Sequence, residues 1–246
     1  DTCESMGCEY KGKKLGTFGK MSSFSTFFGH HISTIEGGFV STDDFELYEL
    51  LLSLRSHGWD RDLSKDTQEK LQTEWNVSEF DAMYTFYYPG YNLRSTDFQK
   101  PFTFFVAGFN LRSTDLQAFI GLGQIDKLDR WGEERAINFE VYQNNIKNDY
   151  WKPKTQSNSF TSNFAYPVIH PNRDKIVKEL QDNDIEVRPM ICGSMGTQPF
   201  YVKEYGVLEL PNVSIIDKYG FYIPNHPYLT ETELQLIINI VNECIE

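Results

Sequence analysis

The sequence predicts a mixed α/β fold, and three stretches carry that expectation. Residues 22–28, SSFSTFF, and Gly37–Thr42, GGFVST, read as two short strands separated by a turn. Thr42–His57, TDDFELYELLLSLRSH, places leucines at helical spacing. From residue 163 onward, strand-like and helix-like stretches follow one another to the end of the chain, the pattern of an α/β unit.

Taken in order, Asp1–Gly7 reads as a strand end with the turn after it, and Glu9–Lys14 as a polar turn. The Ser22–Gly38 stretch holds two adjacent histidines, His30 and His31, on the turn between the strands. An imidazole there can be a hydrogen-bonded structural group or an acid/base at work near neutral pH, and the residues alone leave both open. The helix over 42–57 takes its cap from Thr42 or Asp43 and stops at Gly58. Leu47, Leu50, Leu51 and Leu54 are expected to face the core, and His57 to sit at the helix's C-terminal end. Ser64–Phe80 is polar and reads as a surface loop or short helix.

Tyr84–Pro101 is then nearly repeated by Phe102–Phe119, 18 positions later, both copies carrying GxNLRSTD. Two copies of so short a period make no solenoid. The second copy flows into a helix predicted from Ser113 to Asn148, with Thr114-x-x-Gln117 as a capping box. The first reads as a tandem insertion over 84–101. Lys147–Asn158 is a polar linker with Pro153, which puts a domain boundary near 150. Asn163–Ile169 reads as a strand whose proline favours an edge. Pro171–Asn183 is a predicted helix with proline at its first position, and Glu186–Ile191 and Phe221–Asn225 are predicted strands. Thr230-x-x-Glu233 caps a final helix that turns Leu234, Ile237, Ile238 and Val241 to the core.

The bulk numbers narrow the function. The chain has 246 residues and a net charge of −12, so a nucleic-acid partner is not expected, since no basic face is present to displace counterions. No apolar run approaches the roughly 20 residues of a membrane span. Cys3, Cys8, Cys192 and Cys244 show no C-x-x-C spacing, so neither a metal site nor a redox motif is expected, and a reducing cytoplasm is the simplest setting.

Several motifs together resemble one family. They are Asp1-x-x-Glu4-x-x-Gly7, Gly16-Thr17-Phe18-Gly19, the strand serine ahead of the histidine loop, Glu36-Gly37-Gly38, and Gly108-x-Asn110-x-Arg112. Arg188-Pro189 through Gly193 to Gln198-Pro199-Phe200 adds a further match, with Ser194 where asparagine stands in the family pattern. The set resembles the DegT/DnrJ/EryC1/StrS aminotransferases, enzymes that use pyridoxal phosphate (PLP) on nucleotide-linked sugars. Most members hold PLP through a lysine at the place where this chain has His30. That departure resembles the dehydratase branch, typified by GDP-4-keto-6-deoxymannose 3-dehydratase.

The resemblance implies the C-terminal portion of a fold-type I PLP-dependent transferase. Residues 1–150 would be part of a large PLP-binding domain with a long linking helix, and 151–246 a small C-terminal α/β domain. It implies catalytic roles for His30 and Glu4. Asp1 would pair with the cofactor's ring nitrogen, while Ser25 and Asn110 would bind its phosphate, Asn110 across the interface of a homodimer with a shared active site. Arg112 and Arg188 would contact the substrate. The cofactor would be PLP and its amine form, pyridoxamine phosphate (PMP), held without a covalent bond, because an imidazole makes no comparable stable imine. The implied reaction is C3 dehydration of a 4-keto-6-deoxy nucleotide-sugar, with an amino donor such as glutamate. A nucleotide-sugar aminotransferase and a catalytically inactive interaction module are the alternatives.

Overall fold

In a computed structural model the chain is described over residues 1–56, 58–82, 85–88, 115–190 and 193–245. The strands are β1 (Glu9–Tyr10), β2 (Lys13–Lys14), β3 (Ser22–Ser25), β4 (Gly38–Ser41), β5 (Ser159–Phe160), β6 (Ala165–Ile169), β7 (Arg188–Pro189) and β8 (Gly220–Pro224). The helices are α1 (Phe45–Arg55), α2 (Lys65–Trp75), α3 (Glu79–Ala82), α4 (Asp115–Ile125), α5 (Leu128–Asn145), α6 (Arg173–Asp182), α7 (Pro199–Tyr205), α8 (Pro211–Tyr219) and α9 (Glu231–Ile245). Among the described residues no helix is long and apolar enough to cross a membrane. The two GxNLRSTD segments, His57 and Cys192 lie outside the described residues.

The chain forms two compact units. One comprises Asp1–Met6 with Leu15–Asp126, the other Gly7–Lys14 with Lys127–Glu246. The division falls between α4 and α5, upstream of the polar linker where the sequence suggests a boundary. The single helix expected over 113–148 is accordingly two, interrupted at Asp126 and Lys127. Gly121 and Gly123 in the last turns of α4 weaken helix continuity there, each by about 1 kcal/mol relative to alanine. Gln117 Nε2 donates to Glu36 O at 2.6 Å; the expected capping box of Thr114 and Gln117 lies partly outside the described residues.

In the first unit, β3 and β4 pair antiparallel from Ser22↔Ser41 to Ser25↔Gly38. Phe24 and Phe39, directly opposite, stack with ring centroids 4.7 Å apart, a cross-strand contact of the kind that stabilises a short ladder. A β-carbon at Gly38 would lie 2.5 Å from the Phe24 carbonyl oxygen, so only glycine fits at that rung. The cap of α1 is Asp44 rather than Thr42 or Asp43; its carboxylate accepts from the amides of Glu46 (3.1 Å) and Leu47 (3.2 Å). Gly58 ends the turn after α1 at φ +84, its amide on Ser53 O at 2.9 Å.

The leucines of α1 are only half-buried, whereas Glu49 is 6% and Ser53 1% exposed. Spacing alone could not show this, because both polar groups are buried to serve a neighbour. Ser53 Oγ donates to Trp59 O at 2.9 Å. Glu49 accepts from the Ser64 amide at 2.6 Å and from the Thr67 hydroxyl, at the N-terminus of α2, where a negative charge is favoured. Burial raises the Glu49 carboxyl, but the bonds from Thr67 and Ser64 outweigh it and hold it below the ordinary carboxylate range.

The second unit holds two sheets. β1 pairs with β2 and β5, both antiparallel. The larger core forms on the antiparallel order β6-β8-β7. Tyr166 opposes Ile223 and Val168 opposes Phe221, and all four are buried with Phe139, Ile176, Leu180, Ile237 and Val241 from α5, α6 and α9. The expected residues of the last helix are thus in the core, and its capping box is present: Thr230 N donates to Glu233 Oε2 at 2.8 Å, and Glu233 N to Thr230 Oγ1 at 3.3 Å. Pro167 sits on edge strand β6, as its chemistry requires. Pro171 precedes α6 instead of opening it, since Asn172 occupies the cap position. Burial pushes the Tyr166 phenol up to about 12, and its hydroxyl donates to Gln143 Oε1 at 2.9 Å.

Two predictions follow from this packing. Glu49→Gln lowers stability at neutral pH by about 1–3 kcal/mol, measured by urea unfolding. Because the folded carboxyl titrates below its unfolded value, the wild-type advantage is present above about pH 4.3 and fades as pH falls through the folded pKa; the two melting curves converge there. Gly38→Ala costs about 1–3 kcal/mol through overpacking and reduces the amide protection of β3 and β4 in hydrogen exchange.

Candidate active site

The expected site residues Asp1, Glu4, Ser25 and His30 all belong to the first unit. The N-terminal turn is pinned to β3: Thr2 N and Thr2 Oγ1 both donate to Ser23 O, at 2.9 and 2.8 Å. The Asp1 carboxylate accepts from Ser23 Oγ and from the Cys3 amide, each at 3.1 Å. Asp1 therefore stands beside the middle of β3, oriented by two donors. Glu4 is exposed on the same turn, which Ser5 N closes onto Thr2 O at 3.1 Å. Gly16, at φ +94, completes the floor; a β-carbon there would meet the Phe24 ring at 2.7 Å and Ser22 Oγ at 3.2 Å.

Ser25 is the last residue of β3 and half-buried. Its Oγ accepts from Phe27 N at 3.2 Å, which leaves the hydroxyl hydrogen to point to another acceptor. The loop over 26–37 then leaves and returns through a closed base. Thr26 N donates to Gly37 O and Thr34 N to Thr26 O, each at 2.9 Å. The Thr26 and Thr34 hydroxyls meet at 2.6 Å, and Thr34 Oγ1 lies 3.0 Å from Glu36 O. Residues 27–33 are thereby cinched into a small loop with His30 at its middle.

Within that loop His30 N donates to Phe27 O at 3.0 Å, and its ring stands edge-on to Phe27 at 6.2 Å. The two adjacent histidines have different surroundings. His31 is 2% exposed, next to buried Ile32, while His30 is half-buried.

Helix α4 also reaches this loop, a contact the sequence reading missed. Gln117, Gly121 and Gln124 lie on one face, and they meet Glu36, Thr34 and Ser33. A legible sign was present: glutamines seven apart with a helix-interior glycine between them mark a face built for close approach to another backbone.

Arg188 belongs to the second unit. It is exposed on β7, and its Nε and Nη2 donate to Glu186 Oε1 at 2.8 and 2.6 Å. That bond raises the guanidinium above its ordinary value. The loop that follows is tightly laid: Gly193 adopts φ +49, Ser194 is buried, and Leu208 N donates to Gly196 O at 3.0 Å. Asn110 and Arg112 lie outside the described residues. Among the described residues Cys3, Cys8 and Cys244 are free thiols.

Known proteins resemble this chain in sequence and in fold. The GDP-4-keto-6-deoxy-D-mannose 3-dehydratase of Yersinia pseudotuberculosis is 32% identical over 251 aligned residues, which take in 99% of this chain and 59% of that protein. A crystal structure of a GDP-4-keto-6-deoxymannose-3-dehydratase mutant with bound GDP-perosamine superposes with a TM-score of 0.78 at 28% identity, covering 98% of this chain and 59% of that one. A second structure of a dehydratase of that name, with a trapped PLP-glutamate geminal diamine, gives a TM-score of 0.71 at 29% identity over 97% of this chain and 59% of that one. The chain thus spans about 59% of the length of these relatives. A family model matches residues 1–242, and the chain belongs to the DegT/DnrJ/EryC1/StrS aminotransferase family.

Proposed function

We propose that this protein is a PLP/PMP-dependent dehydratase that removes the C3 hydroxyl of a 4-keto-6-deoxy nucleotide-sugar, with His30 as its acid/base. The observation that carries this reading is a half-buried imidazole at the middle of the cinched loop, in a loop over 26–37 that contains no lysine, within a family of aminotransferases.

The residues present suit a non-covalently held cofactor. Asp1 offers an oriented carboxylate for a ring nitrogen, and Ser25 offers a hydroxyl with an uncommitted hydrogen for a phosphate. When bound, the cofactor supplies an amine that condenses with the 4-keto group and a ring that accepts electrons, and an amino donor such as glutamate restores the amine. Asp1 keeps the ring nitrogen protonated. The neutral His30 ring takes the proton from the cofactor's C4′ carbon. The protonated ring would then give it to the C3 hydroxyl, which leaves as water, and hydrolysis of the dehydrated sugar amine would free ammonia and the 3-deoxy-4-keto sugar. One imidazole can serve both steps because the ring both accepts and donates a proton. Asn110 and Arg112 would act from a second copy of the chain in a homodimer, Glu4 would act beside the cofactor ring, and Arg188 would contact the substrate. The bound GDP-sugar and the PLP-glutamate adduct in the related structures support the substrate and donor classes. A cytoplasmic setting fits cysteines without paired spacing.

The test is ammonia release from a GDP-linked 4-keto-6-deoxyhexose in the presence of PLP and glutamate. His30→Asn lowers turnover about 10²–10⁴-fold while PLP binding, read by its absorbance, persists; undiminished turnover rejects the role of His30. Borohydride treatment of the PLP-loaded chain leaves no cofactor mass on any peptide, whereas a lysine adduct favours the aminotransferase reading.

A further inference from the structure

We propose that Gln124 is a positioning residue for His30, acting through the backbone of Ser33. The proposal rests on the proton-transfer reading of His30 given above, and it names what holds that imidazole in place.

Gln124 makes a two-point contact. Its Nε2 donates to Ser33 O at 2.6 Å, and its Oε1 accepts from Ser33 N at 2.9 Å. The side-chain amide does what a neighbouring strand would do, satisfying both main-chain groups of one residue in a loop that has no strand beside it. The rest of the α4 face allows this approach. A β-carbon at Gly121 would lie 3.1 Å from Thr34 Cγ2, so the helix backbone comes as near to the loop as glycine permits. One turn earlier, Gln117 holds Glu36 O.

Ser33 is three residues from His30. The loop over 27–33 is tied at its base by Thr26 and Thr34. The Gln124 contact adds a second tie on the returning leg, just beyond buried His31 and Ile32. Proton transfer tolerates little misplacement of the imidazole, since an error near 1 Å costs on the order of 10²-fold. The chemistry asks for an amide in particular. A carboxylate at 124 would still accept from Ser33 N but would face the Ser33 carbonyl with like charge, and a leucine would leave both backbone groups without their partner.

The experiment compares Gln124→Leu and Gln124→Glu with wild type in the full chain. In both variants the Ser33 amide exchanges with solvent faster, roughly tenfold or more in the leucine variant. The His30 ring resonances, assigned by their loss in His30→Asn, shift in NMR spectra, while the amides of β3 and β4 keep their protection. Gln124→Glu retains size and one bond, so it reports even where the leucine variant folds poorly. Unchanged Ser33 exchange and unchanged His30 signals overturn the proposal. In turnover, Gln124→Leu lowers kcat about tenfold or more with KM for the nucleotide-sugar unchanged. In a His30→Asn background the same substitution has no further effect on kcat, as expected of two groups acting as one. A further, multiplicative loss there overturns the proposal. Full activity of His30→Asn alone rejects the proton-transfer reading instead, and amide exchange together with the His30 signals in the other variants then decides the role of Gln124.

Discussion

The antiparallel pairing of Ser22–Ser25 with Gly38–Ser41 constrains everything proposed for this site. It fixes both ends of the loop over 26–37, so the loop must fold back on itself between two adjacent points. Thr26 and Thr34 tighten that closure, and the histidine is left at the apex of what remains. The same short ladder receives the N-terminal turn through Ser23, which brings the Asp1 carboxylate alongside. A strand of four residues thereby carries an oriented carboxylate, a strand-end hydroxyl and an imidazole loop. None of these groups is placed by its own immediate neighbours alone.

The elements read most easily from sequence are those whose signals are local. The capping box of Thr230 and Glu233, the apolar stripe of α9 and the edge position of Pro167 each depend on a few residues and on packing that any α/β unit supplies. The α/β class and the family were legible for a related reason, since strand-turn-strand and glycine motifs sit at specific spacings.

What sequence did not show depends on contacts distant along the chain. Glu49 and Ser53 are buried, ahead of the leucines, because each serves a backbone group many residues away. The helix expected over 113–148 is interrupted where the chain passes from one compact unit to the other. Gln117 donates to a carbonyl of the histidine loop. In each case a polar side chain followed a main-chain partner that no periodicity can reveal, while the pairing of Gln124 with Ser33 spans most of the first unit in sequence.

The three-stranded sheet of the second unit has a property that bears on how the chain behaves in a crowded cell. Both of its outer strands carry an imino acid, Pro167 on β6 and Pro189 on β7. Neither residue has an amide hydrogen to offer an incoming strand, so the rims of the sheet are poor templates for accretion. Growth by edge-to-edge joining, the usual hazard of a small exposed sheet, is interrupted at both margins without any need for a covering helix.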